Sequence, residues 1–152
     1  MPSVHYVHEE RALVDIGAHV FPTTKYTLLA RSIREELGVG EERFHRWATV
    51  DDEDLARVHT PRYLEDLRGA RRTWATLSSE LPVTAEVIDG FRAMVGGSIR
   101  ALRLAFDHGV GFHVGGGFHH SFPDHAEGFC YLHDVAIAVE RLRAEEGVEK
   151  VL

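Results

Sequence analysis

His113-Val114-Gly115-Gly116-Gly117-Phe118-His119-His120 runs from an apolar, strand-like segment into three glycines and two adjacent histidines. Eight residues on, Gly128-Phe129-Cys130-Tyr131 leads into His133-Asp134. Six of the eleven histidines lie between His108 and His133, and six of the fourteen glycines between Gly109 and Gly128. Imidazole exchanges protons near neutral pH and is the commonest metal ligand. Glycine lets the backbone turn sharply or approach a ligand closely. A lone histidine here would read as a solvated loop residue. Tandem histidines behind three glycines read as a site built on a loop.

Working outward, Val110–Val114 reads as a strand that delivers the chain to that loop. Before it, Thr84 caps a long helix to about His108, with Val87, Ile88, Phe91, Val95, Ile99, Leu102 and Phe106 on its apolar face. Gly96-Gly97 in its middle is tolerable if the helix lies close to a sheet there. After the loop, His133–Glu146 reads as a helix stopped by Gly147, and Val148–Leu152 as the start of another strand. Strand, loop, helix and strand in this order make a parallel sheet, with sites outside the carboxyl ends of its strands. Further upstream, Ser3–Val7 suits a strand and Lys25–Leu37 a helix ending before Gly38. Arg46–Val50 suits a short strand and Asp51–Val58 a helical turn. Thr60-Pro61 opens a helix through Leu67.

At 152 residues the chain is the size of one domain, and the whole of 1–152 reads as part of one. Its net charge of −7 is spread over both halves, which disfavours a direct nucleic-acid ligand. A single cysteine, Cys130, excludes an internal disulfide. The first residues lack the profile of a signal peptide, and Val135–Val139 is too short to span a bilayer. These features favour a cytoplasmic setting without membrane association. The chain stops at Val151-Leu152, inside the expected strand, so we expect a truncated sheet open to self-association.

The two segments, His113–His120 and Gly128–Ala138, resemble the zinc-dependent histone deacetylase family, which includes acetylpolyamine amidohydrolases and acetoin-utilisation proteins. His19-Val20-Phe21-Pro22 with Lys25, and Val58–Leu64, are similar as well, and the details lean toward the class IV branch and its bacterial relatives. The resemblance covers the whole chain but only the N-terminal half of the family's domain. It implies a three-layer α/β/α, arginase/deacetylase-like fold with a mainly parallel sheet. It also implies hydrolysis of an acyl amide, such as acetyl-lysine or acetylpolyamine, by metal-activated water. By position, His120 resembles the family's general base and acid. His119 resembles the neighbour that orients water and stabilises charge. Phe129 resembles a wall of the acyl-lysine tunnel, and the Gly128 carbonyl an acceptor for the substrate amide. Lys25 resembles a basic residue of the acetate exit channel, and Glu80 an acid gripping the substrate at the rim. On the residues alone, Lys25 also reads as a solvated helix residue, Glu80 as a loop acid, Phe129 with Cys130 as core, and His113 as a satisfied structural histidine.

The resemblance implies zinc held by an Asp-x-His pair and a further aspartate beyond this stretch, so no metal ligand is assigned here. We expect the isolated chain to be inactive. Ser121 and His133 stand where the family commonly has alanine and asparagine. A different class of reading is a non-catalytic binding or assembly module of the same fold. A ureohydrolase of related fold fits Phe118-His119-His120 poorly.

Overall fold

Thr84, extended and accepting the Val87 amide on its hydroxyl, starts the helix that organises the rest. In the computed structural model, which describes residues 3–9, 16, 17 and 19–151, this is the longest element, α5 (Ala85–His108). Before it come β1 (Ser3–Val7), α1 (Thr24–Leu37), a 3₁₀ turn (Glu41–Arg43), β2 (Phe44–His45), α2 (Asp52–Ala56), α3 (Pro61–Arg68) and α4 (Trp74–Leu77). After it come β3 (Gly109–His113) and α6 (Asp134–Glu146). The three strands are parallel in the order β2-β1-β3, Ser3 to Val7 facing Gly109 to His113 in register. α5 packs on one face of β1 and β3 and against α6.

Close approach explains the glycine pair. A Cβ on Gly97 would collide with the His113 imidazole on β3, and one on Gly96 with the Ala48 carbonyl. Val87, Ile88, Phe91, Val95 and Ile99 are buried as the helical period predicts, whereas Phe106 is 51% exposed. Tyr63, Tyr131, Leu132 and Ile137 are almost wholly enclosed in the core between α3, α5 and α6. The opposite face of the sheet is less covered. Residues alternate along a strand, so Val4, Val110 and Phe112 share the face turned from α5, and they are 37, 38 and 45% exposed.

Two segments differ from the sequence expectation. The strand expected at Arg46–Val50 falls instead at Phe44–His45, where it pairs with Tyr6 and Val7. The backbone leaves the sheet after His45 because the Ala48 amide bonds the Gly96 carbonyl on α5 (3.0 Å). Residues 148–151 pair with no strand, and Leu152 lies outside the described residues. Among the described residues, β3 has β1 on one side and no strand on the other. The short α4 and the 3₁₀ turn at Glu41–Arg43 were not anticipated, each being too brief to show a period.

Gly97→Leu should therefore destabilise the chain by roughly 1–3 kcal/mol through overpacking against His113. Urea unfolding of the two proteins measures this. An unchanged midpoint would place Gly97 away from the sheet.

Candidate active site

The site is a loop pinned from behind by one acid. Asp134, fully buried at the first turn of α6, accepts the Gly117 amide (2.9 Å) on one carboxyl oxygen and the Phe118 amide (2.8 Å) on the other. The Ser98 hydroxyl donates to the same oxygen as Gly117, and the Val135 amide to the second (2.9 Å). Bonds to a charged acceptor contribute about 1.5–3 kcal/mol each, so four donors offset the burial of one acid. Behind Ser98 lies the ring of His113, with Nδ1 2.9 Å from the hydroxyl oxygen. The Ser98 proton is committed to Asp134, so His113 Nδ1–H is the donor. The cluster explains the middle glycine, because a Cβ on Gly116 would collide with His113 Nδ1 and lie 2.7 Å from Ser98 Oγ. Gly115 and Gly117 are needed for conformation, at φ of +132° and +99°.

The loop ends in His119 and His120, both exposed, with ring centroids 4.3 Å apart. His119 Nδ1 lies 2.9 Å from the Gly117 carbonyl. A carbonyl only accepts, so Nδ1 carries the proton and Nε2 keeps its lone pair. His120 packs against Gly128, where a Cβ would stand 2.8 Å from the imidazole Cγ. The Gly128 carbonyl accepts a weak bond from the Cys130 thiol (3.4 Å) and keeps a second lone pair. Phe129 comes next in a left-handed conformation (φ +64°), costly for a bulky residue. Its amide bonds the Ser79 carbonyl (3.1 Å), and Glu80 is itself left-handed at φ +63°. His19 meets the Phe129 ring edge-on at 4.9 Å and Phe21 lies 6.0 Å away. The Lys25 ammonium sits 3.7 Å above Phe21. Thus His119, His120, Gly128 and Phe129 adjoin one another, Lys25 lies on Phe21 next to them, and Glu80 is placed only as the chain neighbour of Ser79. Lys25 and Glu80 themselves are exposed, consistent also with their simpler readings.

A second histidine fixes the far side of the loop. His59, 2% exposed, has Nδ1 3.0 Å from the Phe122 carbonyl, and its Nε2 accepts the His133 amide (3.1 Å). That pattern uses the neutral ring at both nitrogens. Burial accordingly lowers its pKa to about 4. Burial also lowers His113, against the opposing pull of the Asp134 carboxyl. His133 caps α6 by accepting the Ala136 amide on Nδ1 (3.2 Å), the part asparagine plays well.

Among the described residues, no group of three or more His, Cys, Asp or Glu is arranged to hold a metal ion. His119 has one nitrogen committed to Gly117, so the tandem pair does not supply the three ligands a catalytic zinc needs. The residues present do not by themselves fit that metal. In the sequence, Asp134 and His59 stand inside the matching segments with no task of their own, and Ser98 stands outside them. A serine one position beyond Gly96-Gly97, on the buried face of a helix, was the available signal.

The chain has known relatives. Residues 19–152 match the histone deacetylase domain, and the chain belongs to that family. It is 32% identical to an uncharacterised protein of Picosynechococcus over 88% of its length, covering 45% of that protein. It is 33% identical to the histone deacetylase-like amidohydrolase of Pseudomonas aeruginosa over 67% of its length, covering 28% of that enzyme. Among solved structures, the HDA15 HD domain superposes with a TM-score of 0.75 at 19% identity, over 96% of this chain and 45% of that one. An HDAC homolog from Aquifex aeolicus gives 0.69 at 24% identity, over 95% and 42%. The three-stranded parallel sheet with its helices is thus part of the deacetylase fold, and the chain spans less than half the length of these relatives.

The neutral, buried histidines set a pH dependence. The unfolded chain takes up protons near pH 6.5, whereas folded His59 does so only near 4. Stability is therefore fully present above about pH 7 and is lost as pH falls through the window from 6.5 to 4. His113, His5 and His45 shift in the same direction. For His59 alone the loss at pH 5 is about 2 kcal/mol. Urea midpoints between pH 7.5 and 5 should fall, and His59→Gln should flatten the slope whatever it does to the absolute stability. An equal slope in the variant would remove His59 from this account.

Proposed function

We propose that this chain carries the proton-transfer and substrate-binding portion of a deacetylase that hydrolyses an acyl amide such as acetyl-lysine or acetylpolyamine. The observation that supports it best is the His119–His120 pair, 4.3 Å apart, with His120 packed against Gly128. In this reading His120 takes the proton of the attacking water and returns one to the leaving amine. His119, with Nε2 bearing its lone pair, orients the water. Phe129 walls the acyl-lysine stem and the Gly128 carbonyl accepts the amide N–H. Glu80 grips the substrate at the rim, and Lys25 attracts the released acetate. Zinc belongs to the proposal through the family. Its ligands are not among the described residues, so we assign it to the remaining length that the relatives possess.

The amidohydrolase and acetoin-utilisation relatives support amide hydrolysis as the reaction class. No helix among the described residues is long and apolar enough to cross a membrane, and we assign the protein to the cytoplasm. The exposed Val4, Val110 and Phe112 support association between copies of this 152-residue chain. Sedimentation should show that association, and Phe112→Lys should weaken it.

The test uses a polypeptide carrying the remaining family length, assayed with acetyl-lysine peptide and acetylpolyamine. Turnover is expected, with His120→Ala lowering kcat by about 10²–10⁴-fold. The 152-residue chain alone should hold no stoichiometric zinc by metal analysis and should turn over neither substrate. Full activity in the His120→Ala variant would sink the assignment.

A further inference from the structure

Among the described residues no hydrogen bond joins a carboxylate directly to His119 or His120, but a run of bonds leads from His119 back to Asp134. The bonds described above form a continuous line in which every donor points toward Asp134. His113 Nδ1–H donates to Ser98 Oγ, and Ser98 O–H to Asp134. From the other side, His119 Nδ1–H donates to the Gly117 carbonyl, and the Gly117 N–H to the same Asp134 oxygen. The Gly117 carbonyl shares its peptide group with the Phe118 N–H, which donates to the other Asp134 oxygen (2.8 Å). That bond polarises the Gly117–Phe118 amide and makes its carbonyl a better acceptor for His119. Phe118, the residue between, is held at its amide by the other carboxyl oxygen and at its ring by Phe91, 4.8 Å away.

We propose that Asp134, backed by Ser98 and His113, is a positioning residue for His119, setting its tautomer and place through the Gly117–Phe118 peptide. The role rests on the deacetylase reading for its use in catalysis, but not for its structural evidence. Three features fit it together. Asp134 is wholly buried and spends its acceptors on this loop, Ser98 and its own helix start. Gly116 has its space taken by His113 and Ser98, so the loop cannot carry a side chain there. The lone-pair nitrogen of His119, Nε2, is the one left by the bond to Gly117. An Asp134→Asn side chain could still accept through its oxygen. It could not accept both the Ser98 hydroxyl and the Gly117 amide through its NH₂.

The experiment uses the ¹⁵N-labelled chain of 152 residues. Imidazole ¹⁵N shifts report the tautomer of neutral His119, a proton titration reports His119 and His120, and amide exchange reports Gly117 and Phe118. Wild type is expected to show His119 protonated on Nδ1. Ser98→Ala and Asp134→Asn should shift it toward the Nε2–H form and move the His119 titration midpoint. Gly117 exchange should rise about tenfold or more. Val95→Ala, which removes buried volume from the same helix without touching the line, should lower the melting temperature and leave the tautomer as in wild type. If Asp134→Asn does not fold, Ser98→Ala decides alone. An unchanged His119 tautomer and midpoint in the folded variants would overturn the proposal. So would an equal change in Val95→Ala. Hydrolysis is not read in this experiment, so a failure of the deacetylase assignment would be seen separately.

Discussion

The close seating of one helix on a small parallel sheet is the constraint from which the rest follows. α5 meets β3 where side chains have been removed from both partners: a Cβ on Gly111 would strike the Ala101 carbonyl, and one on Gly97 the ring of His113. With the helix that near, Ser98 comes within reach of His113 and of Asp134 on α6. The same contact that packs the core thus assembles the polar cluster holding the histidine loop. A helix riding a few ångströms higher would leave Asp134 buried without a full set of donors, a costly state.

Interior polarity here is kept tolerable by histidines that act as neutral linkers. His59 joins the Phe122 carbonyl to the His133 amide, and His113 joins β3 to Ser98. Each ring is a rigid spacer, His59 between two backbone groups and His113 between its strand and the hydroxyl that donates to Asp134. The tyrosines do similar work, Tyr63 donating to the Tyr131 carbonyl and Tyr131 to that of Leu81. The site is therefore framed by connections between segments far apart in sequence, which is why it sits on loops and yet has fixed geometry.

Much of this could be read in the chain before any coordinates. β1, α1, α3, α5, β3 and α6 follow from apolar period and from caps at Thr60, Thr84, Gly38 and Gly147, all of which are local signals. The grouping of His119, His120, Gly128, Phe129, Glu80 and Lys25 came from family resemblance, and the structure sets the first four together. Legibility failed where the decisive partner was remote. Arg46–Val50 has a strand-like pattern, but the Ala48 amide within it is claimed by the distant Gly96 carbonyl on α5. Ser98 and Asp134 were equally obscure, since neither period nor propensity shows which acid a buried hydroxyl will meet. Phe106 continues the apolar stripe of α5 and is nevertheless exposed.

Two left-handed residues, Glu80 and Phe129, stand on either side of the bond from the Phe129 amide to the Ser79 carbonyl. In engineering terms they are the soft targets of a thermostability campaign. Replacing either with glycine or asparagine relieves backbone strain at once. Selection for heat resistance alone would drift toward those changes, and it would erase the aromatic ring that follows Gly128 and the acid that follows Ser79. A screen that also rewards substrate capture would hold both residues in place and collect its stabilising substitutions elsewhere, in surface helices such as α1.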